Sequence, residues 1–412
     1  MFPARRSFLF LQGPRSRFFD QLGQRLSDDG HKVVKVNFTV GDQLGWHGKS
    51  AETFRDPLPM LGEFVTDLWR RHGITDQVAF DDRRPVHKGV LGAARRRGIR
   101  NHILAPGYFQ PYWATLEREG VDGYSLLPRD PEWYHSVGPT IPHALPPRPF
   151  QQRLTPHLVR NIGYQLADIT DLLRFRHTRR HTRSCGDIDY RRLIGRGRRR
   201  SAIRCRRLLD ERQPFFLFPL QHDGDSQIRC HSPYADMAEG VTRVVGSFAR
   251  FAPGHTRLVV LDPKGTASTG YVRRLRDLAR ETDLGERMVF LSGIDLKTLI
   301  DHASGLVTIN GREGFAALES GCPTLALGES IYRLPGLTSA STLDDFWRYP
   351  IGPERRLFRS FAKVVIHATQ INGGFYDREG IDLAVINAVA HLTQDISPIE
   401  RLLWDSRLPV AS

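Results

Sequence analysis

The run Asp81-Asp82-Arg83-Arg84-Pro85-Val86-His87 collects two carboxylates, two guanidiniums and an imidazole directly after the apolar stretch Gln77–Phe80. Arg84 suits a bidentate grip on a carboxylate or phosphate. His87 suits proton transfer near neutral pH. The same mixture also makes an ordinary salt-bridged loop, and residue types alone leave both readings open.

Other constellations have the same double character. Gln12-Gly13 follows the first apolar run, and Gly107-Tyr108 with Glu117 reads as the floor of a sugar site or as a turn against the core. Gln221, Asp225, Ser226 and Gln227, then His231 and Ser232, offer amides, hydroxyls and carboxylates to a polyhydroxy ligand. Ser232-Pro233 also reads as a helix start, with serine as cap and proline in the first turn. Asn310-Gly311-Arg312-Glu313-Gly314 links an apolar run to a helical one. Free N–H groups at such a helix start suit a nucleotide phosphate, with Arg312 as counter-charge, and Asp262 ends a neighbouring strand. No His, Cys or acidic spacing reads as a metal site.

These residues need strands and helices to hold them, and the pattern supplies an alternating order. Strands are expected over Ser7–Leu11, His31–Phe38, Gln77–Phe80 and Asn101–Leu104, with helices over Ser16–Leu26, Leu58–His72 and Lys88–Arg97. The rhythm restarts with strands over Phe215–Pro219, Leu258–Leu261, Met288–Leu291, Leu306–Ile309 and Thr324–Leu327. Helices at Tyr234–Phe251, Tyr271–Arg280, Leu296–His302 and Gly314–Glu319 alternate with them. Repeated βαβ units imply parallel sheets with ligands at the carboxyl ends of the strands. The expected fold is α/β: two Rossmann-like lobes facing a cleft, glycosyltransferase-B-like. The expected division is a 1–150 N-terminal lobe, a 151–213 helical arginine-rich connector, a 214–345 nucleotide-side lobe and a 346–412 C-terminal helical segment. The first loop lacks G-x-G-x-x-G, so no dinucleotide fingerprint is present.

At 412 residues the chain exceeds what one core usually holds. Its net charge of +14 is concentrated: residues 171–213 carry fifteen arginines against five acids. That zone reads as a surface for anionic lipid or as a solvated linker. No nucleic-acid module accompanies it. The four cysteines form no C-x-x-C pair, which fits a reducing cytoplasm. Phe8–Leu11 is too short for a secretory h-region, and no run of about 18 apolar residues predicts a membrane span.

Taken in order, these segments resemble the KpsS (LipB-type) capsule polysaccharide family. The likeness rests on Phe8–Pro14, Asn37-Phe38, Phe80–His87, Gly107-Tyr108, Thr115–Glu117 and Gly120–Gly123 in the first half. In the second half it rests on Pro219–Gln221, Asp225–Ile228, His231-Ser232, Thr308–Asn310, Leu327-Gly328, Ile331-Tyr332 and Pro335–Thr338. The resemblance implies a retaining Kdo transferase that takes CMP-Kdo as donor substrate, needs no further cofactor, and places the sugar on a phosphatidylglycerol-type lipid. It implies a peripheral position at the cytoplasmic face of the inner membrane and contact with a capsule assembly or export complex. Four places depart from the family pattern: Ala105 stands for Glu, Gln110 for Arg, Asp262 for His, and Gly311-Arg312 for Ser-Thr. With Ala105 in place of the acid, either the catalytic carboxylate moves to Asp82, Asp223, Asp225 or Asp262, with Asp82 and Asp225 the expected choices beside Arg84 and His87, or the chain is a non-catalytic scaffold of the same fold; the arginine-rich zone separately motivates a peripheral binder of anionic membrane.

Overall fold

A computed structural model describes residues 5–48, 50–151, 175, 197–221, 226–263 and 269–406. The expected helix at Gln151–Leu173 and much of the arginine-rich zone lie outside them. Among the described residues the strands, in chain order, are β1 (Ser7–Phe10), β2 (Lys32–Asn37), β3 (Ala51–Thr53), β4 (Asp76–Phe80), β5 (Arg100–Pro106) and β6 (Trp113–Arg118). They continue with β7 (Phe215–Pro219), β8 (Arg257–Asp262), β9 (Met288–Ser292), β10 (Gly305–Thr308), β11 (Thr324–Ala326) and β12 (Gln370–Asn372).

The chain forms two compact units. The first takes Met1–Leu127, Thr140–Asp187 and Lys363–Ser412; the second takes Pro128–Pro139 and Ile188–Ala362. This differs from the expected linear division, because the last fifty residues return to the first unit. There β12 pairs antiparallel with β6, Ile371 opposite Ala114.

The first unit holds a seven-stranded sheet in the order β12-β6-β5-β4-β1-β2-β3. Its β3-β2-β1-β4-β5 core is parallel, with β6 and β12 antiparallel at one edge. Both faces are covered, so the central strands are buried nearly throughout rather than alternating with exposed positions. Phe8 and Phe10 pack on one face with the helices Phe18–Asp28 and Arg378–Leu392. Leu9 and Leu11 pack on the other with Leu61–His72 and Pro85–Arg96. The second unit repeats the plan with five parallel strands, β11-β10-β7-β8-β9. Its aromatic centre joins Phe216, Phe248 and Trp347, whose indole N–H donates to Ser247 Oγ at 2.8 Å.

In both units the first strand lies beside the fourth in one direction and the second in the other. The two crossovers leave the first strand toward opposite sides and open a crevice at its carboxyl end. In the first unit this switch point lies between β1 and β4, and in the second between β7 and β10.

Three strands were not foreseen. β3 and β12 are three residues each, too short for a period-two signal. β6 interrupts what reads as a turn-rich loop from Gly107 to Gly120, and its antiparallel pairing corrects the all-parallel expectation. The hairpin explains Gly107. A Cβ there would stand 2.3 Å from the Trp113 carbonyl oxygen, which is backbone and cannot swing aside. Gly107→Ala is expected to lower stability by about 1–3 kcal/mol, read as a fall in melting temperature.

Candidate functional site

The sharpest chemistry sits at the first unit's switch point. Asp81 leaves β4 with φ 68°, the left-handed region that aspartate tolerates better than most side chains. The turn aims the Asp81 carbonyl at His87 Nδ1, 2.5 Å away. Arg84 is extended, as a residue before proline must be, and Pro85 opens the helix Pro85–Arg96. His87 therefore lies in the first helical turn, because the helix starts at Pro85, three residues before the expected start at Lys88.

Arg83 and Arg84 have opposite surroundings. Arg83 is 7% exposed and donates to Asp81 Oδ1 at 2.8 Å and to Asp122 Oδ2 at 3.0 Å; Asp82 lies 3.7 Å away. Arg84 is 4% exposed, donates to the Gly13 carbonyl at 3.0 Å, and stacks over the Phe80 ring. It makes no ion pair with a described residue, and its Nε has no acceptor.

Buried polar groups are normally satisfied, so clustered exceptions mark a ligand position. Here they cluster. Gln12 Oε1, Asn37 Oδ1, Asp82 Oδ1 and His87 Nε2 all lack a hydrogen-bond partner among the described residues. Gln12 follows β1, Asn37 ends β2, and Asp82 and His87 follow β4, so three strand ends contribute to one edge.

Protonation follows from burial. Burial pushes the Asp82 carboxyl up to about 7; Arg83 opposes this, while Asp81 and Asp122 add to it. Its Oδ2 accepts from Val121 N at 2.9 Å. Burial likewise pushes Glu117 to about 8, although Ser125 and Tyr108 hydrogen bonds pull it down. Tyr108 donates to Glu117 Oε1 at 2.5 Å and accepts from Asp122 N at 2.8 Å. Tyr108 and Glu117 thus brace the Asp122 backbone, and through it the carboxylate that Arg83 holds. His87 is held down to about 3, mainly by burial and then by Arg84. It is neutral, donates through Nδ1–H, and offers Nε2 as an acceptor. The role expected of it, carrying a proton at neutral pH, fits Asp82 better.

Glu117 yields a pH prediction. Its folded pKa lies above the unfolded value, so its contribution is fully present below about pH 4.5 and is lost as pH rises to 8. Glu117→Gln keeps the shape and removes the titration. The variant's melting temperature should gain on wild type steadily between pH 4.5 and 8 and then hold a constant lead, worth on the order of a few kcal/mol. Melts at four or five pH values across that window check this.

Two groups escaped the sequence reading. Lys35 is 3% exposed on β2, and Asn37 shares its face two residues on. The signal was available: a lysine inside Lys32-Val-Val-Lys-Val-Asn37 of a doubly covered strand has to be buried. Burial holds it down to about 8; Asp42 offsets part of this and Arg84 adds to it.

The second unit's switch point is an amide pair. Gln221 follows β7 and Asn310 follows β10; Gln221 Nε2 donates to Asn310 Oδ1 at 2.9 Å, and Asn310 N donates to Gln221 Oε1 at 3.2 Å. Asn310 Nδ2 reaches the His231 carbonyl at 3.4 Å, and Tyr332 Oη donates to the Gly311 carbonyl at 2.6 Å. A Cβ on Gly314 would meet the Tyr332 ring at 2.5 Å, so Gly314 lets the ring close over the start of the helix Glu313–Ser320. Arg312 Nε has no acceptor there, and Glu313 is partly exposed. The structure thus gathers Gln221, His231, Ser232, Asn310, Gly311, Arg312, Glu313 and Gly314. Asp262 is two strands away from β10 and accepts from Ser292 Oγ at 3.3 Å. Ser232 is not a helix cap: it donates to the Ile228 carbonyl at 2.6 Å, while Asp236 caps Met237–Phe251 by accepting from Glu239 N at 2.9 Å. Asp223 and Asp225, and the side chains of Ser226 and Gln227, lie outside the described residues.

A sequence profile of the capsule polysaccharide biosynthesis protein family matches residues 75–376, which include Asp81–His87 and Asn310–Gly314. The chain belongs to that family. The capsule polysaccharide export protein KpsS of Escherichia coli is 31% identical over 386 residues, 90% of this chain and 97% of the relative. The capsule polysaccharide modification protein LipB of Neisseria meningitidis serogroup A is 29% identical, covering 90% and 92%. Among solved structures, the beta Kdo 2,7 transferase of Thermosulfurimonas dismutans KpsC is similar at 15% identity and TM-score 0.44, over 93% of this chain and 99% of that one. Family membership agrees with the resemblance read from the ordered motifs. Among the described residues no helix is long and apolar enough to cross a membrane.

Proposed function

We propose that this family member transfers a Kdo residue, with retention, from CMP-Kdo to a phosphatidylglycerol-type lipid at the cytoplasmic face of the inner membrane. The observation that carries the reading is the first-unit switch point, where one turn after β4 carries Asp82, with a buried carboxyl oxygen lacking a hydrogen bond, and Arg84 and His87, whose Nε and Nε2 lack one too. Such a set fits a ligand bearing an anion, hydroxyls and an electrophilic carbon.

In the first step Asp82 Oδ1 attacks the anomeric carbon, the bond to the donor phosphate oxygen breaks, and CMP departs with the bonding pair. In the second a lipid hydroxyl attacks the same carbon, the bond to Asp82 breaks, and the pair returns to the carboxylate. The hydroxyl proton ends on Asp82, whose burial keeps a proton bound near neutral pH. Two inversions give net retention. His87 Nε2 accepts from a sugar hydroxyl. Nucleotide binding is assigned to the second unit's edge, where the Gln221–Asn310 amides offer base or ribose contacts and Arg312 faces phosphate. Membrane contact is assigned to the arginine-rich stretch, and the capsule assembly or export machinery is the expected partner.

One observation favours a second reading, a capsule assembly scaffold without turnover. Ala105 stands where the resembled family has Glu, on the sheet face that also carries Glu117 one diagonal step away. Ala105→Glu is a poor test, since position 105 is 1% exposed within an apolar cluster. The two readings separate in a single assay. Purified protein with CMP-Kdo and a lysophosphatidylglycerol analogue should release CMP in step with glycolipid detected by mass spectrometry. Donor binding with neither product would favour the scaffold.

A further inference from the structure

The first unit buries two cations that form no ion pair with a described carboxylate, although Asp81 acts on Arg84 and Asp42 on Lys35 from farther away. Lys35 Nζ donates to the Val36 carbonyl at 2.5 Å and Arg84 Nη1 to the Gly13 carbonyl at 3.0 Å, and neither is within ion-pair distance of an acid. The contrast within this unit is sharp. Arg83 and Arg6, equally buried, each have carboxylates at hydrogen-bond distance. Lys35 and Arg84 are also close enough for each to oppose the other's charge, and His87, which stays neutral, feels both. Asp42, the acid that faces Lys35 from the segment after β2, is occupied by the Phe38 N–H at 3.0 Å.

Burying like charges without counter-charge is a liability that a fold retains for a ligand. The surroundings fit one. Gln12 and Asn37 each present an amide oxygen without a donor, and turning either amide presents N–H instead. Two cations and two adaptable amides match one oxyanion flanked by hydroxyls.

We propose that Lys35 and Arg84 form a buried oxyanion seat that selects a ligand bearing a carboxylate or phosphate over a neutral sugar. The identification of that ligand as the sugar acid rests on the transfer reading above; the oxyanion seat does not.

The test uses the full chain, isothermal titration calorimetry and three probes: free Kdo, its methyl ester and inorganic phosphate. Wild type should bind Kdo and not the ester, or bind phosphate in competition with Kdo, which assigns the seat to a phosphate. Lys35→Met should weaken that binding about 10–100-fold, the loss of one charged hydrogen bond. Its melting temperature should hold or rise, because a buried uncompensated charge is gone. A purely structural lysine would do the reverse, lowering the melting temperature and leaving binding intact. Lys35→Gln gives the same readout should the methionine variant not be recoverable. Equal binding of Kdo and its ester, no binding of Kdo or phosphate, or unchanged affinity in the lysine variants would overturn the seat. Anion binding that disappears with Lys35 in a protein that releases no CMP would leave the seat standing and remove the transfer reading.

Discussion

Asp82→Asn should cut the rate of sugar transfer by about 10⁴-fold, the scale seen when one member of a nucleophilic unit is removed. The side chain would keep its shape and could still accept from Val121 N, so the turn would stay formed. What disappears is the oxygen that attacks the anomeric carbon. The melting temperature at pH 7 and above should hold or rise, because ionised Asp82 sits among Asp81 and Asp122 with Arg83 at 3.7 Å. This pairing of outcomes is diagnostic. Were Asp82 present only to neutralise Arg83, the variant would lose stability and keep activity. Steady-state CMP release and a thermal melt on one preparation decide between them.

The largest expected effect on stability comes from the opposite end of the same strand. Asp76 is fully buried and accepts from Arg6 Nη1 at 3.1 Å, from Arg100 Nε at 2.9 Å and Nη2 at 3.0 Å, from Thr75 Oγ1 at 2.7 Å, and pairs with His102 Nε2 at 2.8 Å. These partners hold its carboxyl far below the usual carboxylate range, although burial alone would raise it. Burial keeps His102 near 4, so it is neutral and donates. Asp76→Ala would strand Arg6, leaving it only Asp395, whose side chain is 86% exposed. Removing one partner of a buried pair costs about 3–5 kcal/mol. For a unit of this size the melting temperature should fall by on the order of 10 °C. Transfer chemistry at the carboxyl edge should survive below the melt. Because the folded pKa is depressed, Asp76 contributes stability above pH 4 that is lost on acidification. Wild type should lose stability steeply below pH 4, and the alanine variant much less.

The two doubly wound sheets were legible because most of their parallel strands carry short apolar runs and most are followed by a helix. β1, β4, β7 and β8 fall close to where periodicity places them. The parts that escaped depend on contacts across the chain. β12 is Gln370-Ile371-Asn372, three residues that become a strand by pairing with β6 some 255 positions earlier. β6 escaped because Gly107 and Pro111 read as punctuation. At the site, the Asp81–His87 run announced itself by composition, yet its division of labour did not. Arg83 and Arg84 are adjacent and chemically identical; only the fold gives one three acids at ion-pair distance and the other none among the described residues. Burial keeps the His87 imidazole neutral far below the pH at which imidazole in water gains its proton, which composition alone does not reveal. Lys35 was overlooked for its position inside a valine strand, although that position was the clue.

The most direct test of the account is a structure of the chain with Kdo bound. The sugar should lie at the first unit's switch point, hydroxyl on His87 Nε2, anomeric carbon against Asp82 Oδ1, and carboxylate on Lys35 and Arg84. Kdo bound elsewhere, with those groups still lacking partners, would contradict it.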